Sequence, residues 1–405
     1  MMPSSSSTSN SEPTDPPPRA SVERATVPGA LAALGWTVVF LIAADILLGR
    51  VFHPPANPKV EPSTLQRYFE YGRSVEGKLR EMVKPVDADS APIVLAGWLN
   101  NPEFEREPRQ ASQPDHLLVA AYGQSFTEHV FTQAVQLDPR LEVRSLGGPA
   151  APLNHSYALY QRDRHQHQAR VVMIGVLASA LPQLATLTPM TWGFEAPTPY
   201  MYPRYRVVDG QLTSWPAPVE TLADLRATLA DPGRWTALRN LLASEDAAFD
   251  SFLFDADPLD HSTFGRLFRR AIGHQHQNAF TARFHDTKGF LNTDGILDVG
   301  RALLLDFGRT AKEDGRIPFV ILFNDRGYPA YLDKAFGETL RAAGIAYLSS
   351  DPIAPATNLT NFIPNGHFTP AIDRQLAKEW LDELHRLVPG FAAPANQPAS
   401  APARQ

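Results

Sequence analysis

The sequence predicts an α/β protein, a three-layer α/β/α sandwich in which a five-stranded parallel sheet lies between two layers of helices. Five short runs, 116–122, 141–146, 169–177, 318–323 and 345–348, have the length and bounding of strands. All but the second, Leu-Glu-Val-Arg-Ser-Leu, are almost wholly apolar, as strands covered on both faces must be. Helical spacing occupies the intervals between them, the alternation that builds a parallel sheet through crossover helices. The expected strand order is 2-1-3-4-5, as in flavodoxin-like folds. One further apolar stretch, 29–49, stands apart near the N-terminus.

The chain has 405 residues, 43% of them hydrophobic, enough for a large core. Its formal charge of -6 and the lack of a basic block interleaved with aromatics give nucleic-acid binding no support. Without cysteine there are no disulfides, thiolate metal sites or cysteine nucleophiles.

Residues 1–28 are rich in Ser, Thr and Pro and are expected to be a disordered tail. Residues 29–50 are apolar apart from Thr37, Asp45 and the closing Arg50, long enough to cross a hydrocarbon core. A signal peptide is the rival reading, but no small-x-small cleavage site clearly follows. Arg19 and Arg24 precede the span, and Arg50, Lys59 and Arg67 follow it, which mildly favours the wrong side for an exported domain. A short head and the whole folded mass after one span still suggest an N-in anchor. The expected location is the inner (plasma) membrane, single-pass, with an extracytoplasmic or periplasmic domain. Residues 51–115 read as a linker, with one amphipathic helix over 63–83 and mostly loop over 84–113. The globular domain is expected over 116–388, and 389–405 is an Ala/Pro tail.

The organising stretch is Leu117-Leu-Val-Ala-Ala-Tyr-Gly-Gln-Ser-Phe-Thr-Glu-His-Val130, a strand, a tight turn and the start of a helix. Ser125 at that junction stands where open α/β sheets bind ligands and where free helix N–H groups favour negative charge. A turn serine capping a helix gives the same local pattern. Far downstream, Phe362-Ile-Pro-Asn-Gly-His-Phe-Thr-Pro370 holds His367 in a short loop before the last helical stretch.

Together these two ends resemble the SGNH (GDSL-like) hydrolase family. Gly123-Gln124-Ser125-Phe126 corresponds to its Gly-Asp-Ser-Phe-like first block with Gln for Asp, and Asn365-Gly366-His367 to its last block, Asp-x-His, with Asn for Asp. The resemblance implies a Ser125 nucleophile and a His367 base. It also implies an oxyanion hole shared by Ser125 N–H and a loop N–H in Gly147–Pro152, where Gly148 is the nearest candidate and Ala150 the alternative. The Asn that the family carries after its third strand is missing here, the chain reading Gly175-Val-Leu-Ala-Ser179, so Ser179 is the candidate replacement donor. With Asn365 in the acid's place, Asp351 and Asp325, at the ends of the fifth and fourth strands, are alternative acids, Asp351 the better placed. A surface turn aspartate before Pro352 is the plainer reading of Asp351.

Residues 181–291 interrupt the pattern as an inserted cap, with a hairpin around Asp209-Gly210 and helices near 222–229, 235–242 and 264–272. Trp192, Tyr200, Tyr202 and Tyr205 could stack on sugar rings or form the cap's own core. Two His-x-His pairs, His165/His167 and His274/His276, invite a metal reading, but residues two apart on a helix face differently and no carboxylate completes a set. No cofactor or metal is expected. Anchored members of the family commonly modify cell-surface polysaccharide. The resemblance therefore implies an esterase or O-acyltransferase acting on acylated carbohydrate or exopolysaccharide, O-acetyl being the expected group. An inactive fold that binds polysaccharide or serves with polysaccharide-assembly proteins is the alternative.

Overall fold

The computed structural model describes residues 27–53, 62–83, 96–100, 102–195 and 198–391. The expected tails therefore lie outside the described residues up to 26 and from 392, as do linker residues 54–61 and residues 84–95 of the expected 84–113 loop. The chain divides into two units, Met1–Val51 and Phe52–Gln405. In the first, helix α1 (Val27–Val51) contains Gly29–Val51, long and apolar enough to cross a membrane. Leu34, Trp36, Phe40 and Leu47 are all exposed on it, so no single face is reserved for a protein core.

The second unit begins with α2 (Thr64–Glu70) and α3 (Val75–Met82), where one amphipathic helix was expected. The break has a tertiary cause. The Ser74 hydroxyl caps α3 at the Gly77 N–H (2.9 Å), while the Ser74 N–H and hydroxyl both donate to Asp260 of the cap, at 2.7 and 2.5 Å.

The core then follows as β1 (Leu117–Gly123), α4 (Ser125–Leu137), β2 (Leu141–Gly147), α5 (Leu153–Asp163) and β3 (Val171–Leu177). The cap carries the hairpin β4 (Arg204–Val208) and β5 (Gln211–Trp215), then α6 (Leu222–Ala230), α7 (Pro232–Glu245) and α8 (Thr263–Ala282). Asp209 and Gly210 both take positive φ, 51° and 75°, as the expected tight hairpin turn requires. The chain returns through α9 (Ile296–Glu313), β6 (Ile317–Phe323), α10 (Glu338–Ala342), β7 (Ala346–Ser349) and α11 (Pro370–Leu387).

The five-stranded sheet is parallel, in the order β2-β1-β3-β6-β7. Since β4 and β5 pair only with each other, its strands stand in the expected order 2-1-3-4-5. Alternation along β1 divides the core. Leu117, Val119 and Ala121 pack with Phe131 of α4 and Trp380 of α11, whereas Leu118, Ala120 and Tyr122 pack with Tyr160 of α5 and Phe307 of α9. From β1 the chain crosses to β2 on one side, and β3 pairs on the other, so the carboxyl end of β1 is the sheet's switch point.

Under α5 lies a buried ion pair. Arg144 and Asp163 are both fully enclosed, at 2.7 Å, and Asp163 also accepts from the Tyr122 hydroxyl at 2.9 Å. Removing one partner strands a charge in a medium that cannot solvate it. Asp163→Ala should therefore destabilise the protein by about 3–5 kcal/mol. Denaturant unfolding of the full chain in detergent checks this, and a loss below about 1 kcal/mol would show that the pair is dispensable.

Candidate active site

Ser125 is the first residue of α4, directly after β1, and Gln124 occupies the capping position without any side-chain cap bond. The helix thus meets the switch point with N–H groups that no side chain caps. Its entry is unusually close to the sheet. The Thr127 side chain fits into space left by Gly123 and Gly175, and a Cβ at either glycine would stand 2.2 or 2.0 Å from the Thr127 hydroxyl. A larger residue in either strand would push Ser125 away from the sheet edge.

His367 arrives on a loop folded back on itself. Ile363 N–H donates to the His367 carbonyl (2.8 Å), Gly366 N–H to the Ile363 carbonyl (2.9 Å), and Thr369 N–H to the Asn361 carbonyl (2.9 Å). Gly366 sits at φ +94°, where a side chain would strain the turn. Phe126, one residue after Ser125, stacks on the imidazole with ring centres 4.9 Å apart. The ring is thereby fixed in plane and position.

The structure brings together three of the predicted residues. The Ser125 hydroxyl lies 2.6 Å from His367 Nε2. On the other side of the ring, Nδ1 is 3.1 Å from Asn365 Oδ1, which also accepts the His367 backbone N–H at 3.2 Å. That backbone donor identifies the facing amide atom as oxygen, because only oxygen accepts. An acceptor at Nδ1 in turn places the proton there and leaves the Nε2 lone pair for the Ser125 hydroxyl. Burial holds His367 below the usual histidine range, and the neighbouring His129 lowers it further. The imidazole is therefore neutral at pH 7 and able to accept a proton.

The remaining predicted residues are placed differently. Asp351 does not orient His367: its carboxylate accepts the N–H of Ala330 (2.9 Å), a residue held at φ +51°. That turn also delays the helix expected over 328–343, which begins at Tyr331 and carries a π turn at Asp333–Gly337. Gly148 N–H is already bonded to the Gly123 carbonyl at 3.3 Å, because the two strand ends abut. Ser179 gives its N–H (3.0 Å) and its hydroxyl to the buried Asp325, whose pKa burial raises to about 6. Asp325 is thus also committed. Ala150 differs. It stands at φ +52° beside Pro149, whose carbonyl accepts the Tyr200 hydroxyl at 2.7 Å, and among the described residues no acceptor engages the Ala150 N–H. Gln124 is buried at 3% exposure with both amide atoms unpaired.

Tyr200 and Tyr202 are fully buried, with Tyr200 4.7 Å from the His155 ring, so these aromatics belong to the core rather than to an open platform. His165 is exposed while His167 is buried against the Tyr122 hydroxyl (3.0 Å), and His274 and His276 bond separately to Glu195 and the Ala248 carbonyl. Neither pair converges. Among the described residues no group of three or more His, Cys, Asp or Glu could hold a metal ion.

Sequence reasoning missed His129 and Asp373. His129 follows Ser125 by one helical turn, its ring 5.0 Å from that of His367, and its Nδ1 lies 3.6 Å from Asp373 Oδ2 of α11. The i, i+4 spacing from Ser125 was the available signal. Comparison with known proteins returns no matching family model and no matching curated protein.

Burial raises the Asp373 carboxyl to about 7, from its usual 3.8. Such a group holds its proton more tightly folded than unfolded. Its stabilising contribution is complete below the unfolded value and lost as pH rises through the folded one. Asp373→Asn should therefore raise the Tm at pH 8 and leave it nearly unchanged at pH 4. Equal shifts at both pH values would contradict the assignment.

Proposed function

We propose that the chain is a membrane-anchored, SGNH-like serine esterase or O-acyltransferase acting on acylated carbohydrate. The observation that carries this reading is the 2.6 Å contact of Ser125 Oγ with His367 Nε2, Nδ1 being backed by Asn365. As Ser125 Oγ bonds to the ester carbonyl carbon, its proton passes to Nε2. As the carbon–oxygen bond to the leaving alkoxide breaks, that proton passes on to the departing oxygen. Water or a sugar hydroxyl then gives its proton to Nε2 as its oxygen bonds to the acyl carbon, and Nε2 returns that proton to Ser125 Oγ as the acyl–Oγ bond breaks. The proposed oxyanion donors are the Ser125 N–H at the head of α4 and the Ala150 N–H, in place of Gly148.

Asn365 orients the imidazole but offers no charge to the imidazolium. In serine proteases an Asp→Asn change at this position costs about 10⁴ in turnover. Asn365 is exposed, however, so water screens whatever charge is placed there. Asn365→Asp should raise kcat on an aryl acetate about tenfold, below that ceiling. Ser125→Ala should abolish turnover with little change in Tm. An active Ser125→Ala variant would overturn the nucleophile assignment.

One observation favours a binding protein on an inactive fold: Gly148 and Ser179, two of the expected donors, are bonded within the structure. The turnover measurements separate the two readings.

The apolar segment within α1 supports a membrane span, and the proposed reading takes it as an uncleaved inner-membrane anchor with the second unit extracytoplasmic, where acylated polysaccharide and its assembly proteins would be met. Full-length protein should then stay in membranes through alkaline carbonate washing. Release, or a mature N-terminus beyond residue 51, would contradict the anchor.

A further inference from the structure

The candidate site contains a second histidine that the Ser–His chemistry leaves unused. His129 lies four residues after Ser125 in α4, on the same face, and its ring stands 5.0 Å from that of His367 at an interplanar angle of 43°. It is 42% exposed in its side chain, so solvent reaches its ring. Asp373, in the first turn of α11, holds it from the other side at 3.6 Å and is itself only 7% exposed. The second oxygen of Asp373 is buried without a partner, so His129 is the one group of opposite charge that the ion pairs of the described residues give this carboxylate. Burial raises this carboxyl to about 7, so in more acid solution it meets His129 uncharged and compensates little of any charge there.

We infer that His129, held by Asp373, is a positioning residue for His367, opposing a lasting charge on the imidazole so that the proton taken from Ser125 is passed on to the leaving oxygen. The inference rests on the Ser125–His367 reading. The groups facing His367 are Ser125 and His129 from α4 and Asn365 from its own loop. Those facing His129 are His367 from the loop and Asp373 from α11, while Glu128 beside it on α4 is exposed. No carboxylate bonds His367, so its charge is governed by solvent and by His129. A neighbouring imidazolium makes His367 a weaker base but a stronger acid, which suits a centre whose Asn365 cannot hold the proton by charge. The lowered pKa of His367 has the corresponding sign.

The test is the pH dependence of Ser125 phosphonylation, which needs neutral His367 but no knowledge of the substrate. The full chain in detergent is treated with an aryl methylphosphonate ester, and the adduct is followed by intact mass between pH 4.5 and 8.5. His129→Gln should move the midpoint of the acid limb up by roughly half a pH unit, the effect of losing a like charge about 5 Å away in largely aqueous screening. His129→Lys, which keeps a permanent cation there, should move it down. A residue that merely packs would not give shifts of opposite sign. Labelling with both midpoints unmoved, or moved in the same direction, overturns the inference and leaves the Ser125–His367 reading standing. A folded wild-type chain that takes no label at any pH overturns both.

Discussion

The structure depends on the distance at which α4 meets the sheet. Glycines at the ends of β1 and β2 and within β3 let helix and strand backbones approach, with the Thr127 side chain filling the space between Gly123 and Gly175. That approach puts Ser125 at the switch point, turns an uncapped helix terminus toward it, and brings Phe126 within stacking distance of His367. The same closeness joins the Gly123 carbonyl to the Gly148 N–H. One constraint therefore positions the serine and also removes a donor that the resemblance had assigned to it.

The second governing feature is an absence of charge. Among the described residues the acceptor at His367 Nδ1 is an amide, and the nearby carboxylates are engaged elsewhere: Asp351 with the Ala330 N–H, Asp325 with Ser179, Asp373 with His129. An amide sets the tautomer as well as a carboxylate does, but it cannot stabilise an imidazolium. Depression of the His367 pKa by burial and by His129 fits a base that carries its proton only in passing.

Much of the fold was legible because the inner strands β1, β3 and β6 are apolar on both faces and the strands are bounded by glycine or polar turns. Four of the five core strands differ from their expected bounds by no more than one residue at either end, and β3 begins two residues late. The failures have local physical causes. The helix over 63–83 carried the right periodicity, but Asp260, remote in sequence, captures Ser74 and starts a new helix there. Ala330 at positive φ delays the helix before β7, and nothing in alanine's chemistry announces that conformation. In the site, Ser125, His367 and Asn365 were found because short motifs fix them locally. Gly148 and Ser179 are bonded elsewhere, and Asp351 is the turn aspartate of its plainer reading, because an N–H or carboxylate at the sheet edge can be consumed by a neighbouring strand or turn. Only coordinates reveal that.

The central claim is that Ser125 is a nucleophile activated by His367, and it is tested most directly by trapping the covalent intermediate. The full chain is mixed with an aryl acetate, quenched in acid within milliseconds to seconds, and mapped by peptide mass. The account predicts one acetyl group on the peptide carrying Ser125, absent after His367→Ala. Acetylation confined to lysines, or a Ser125 adduct unaffected by loss of His367, would contradict it.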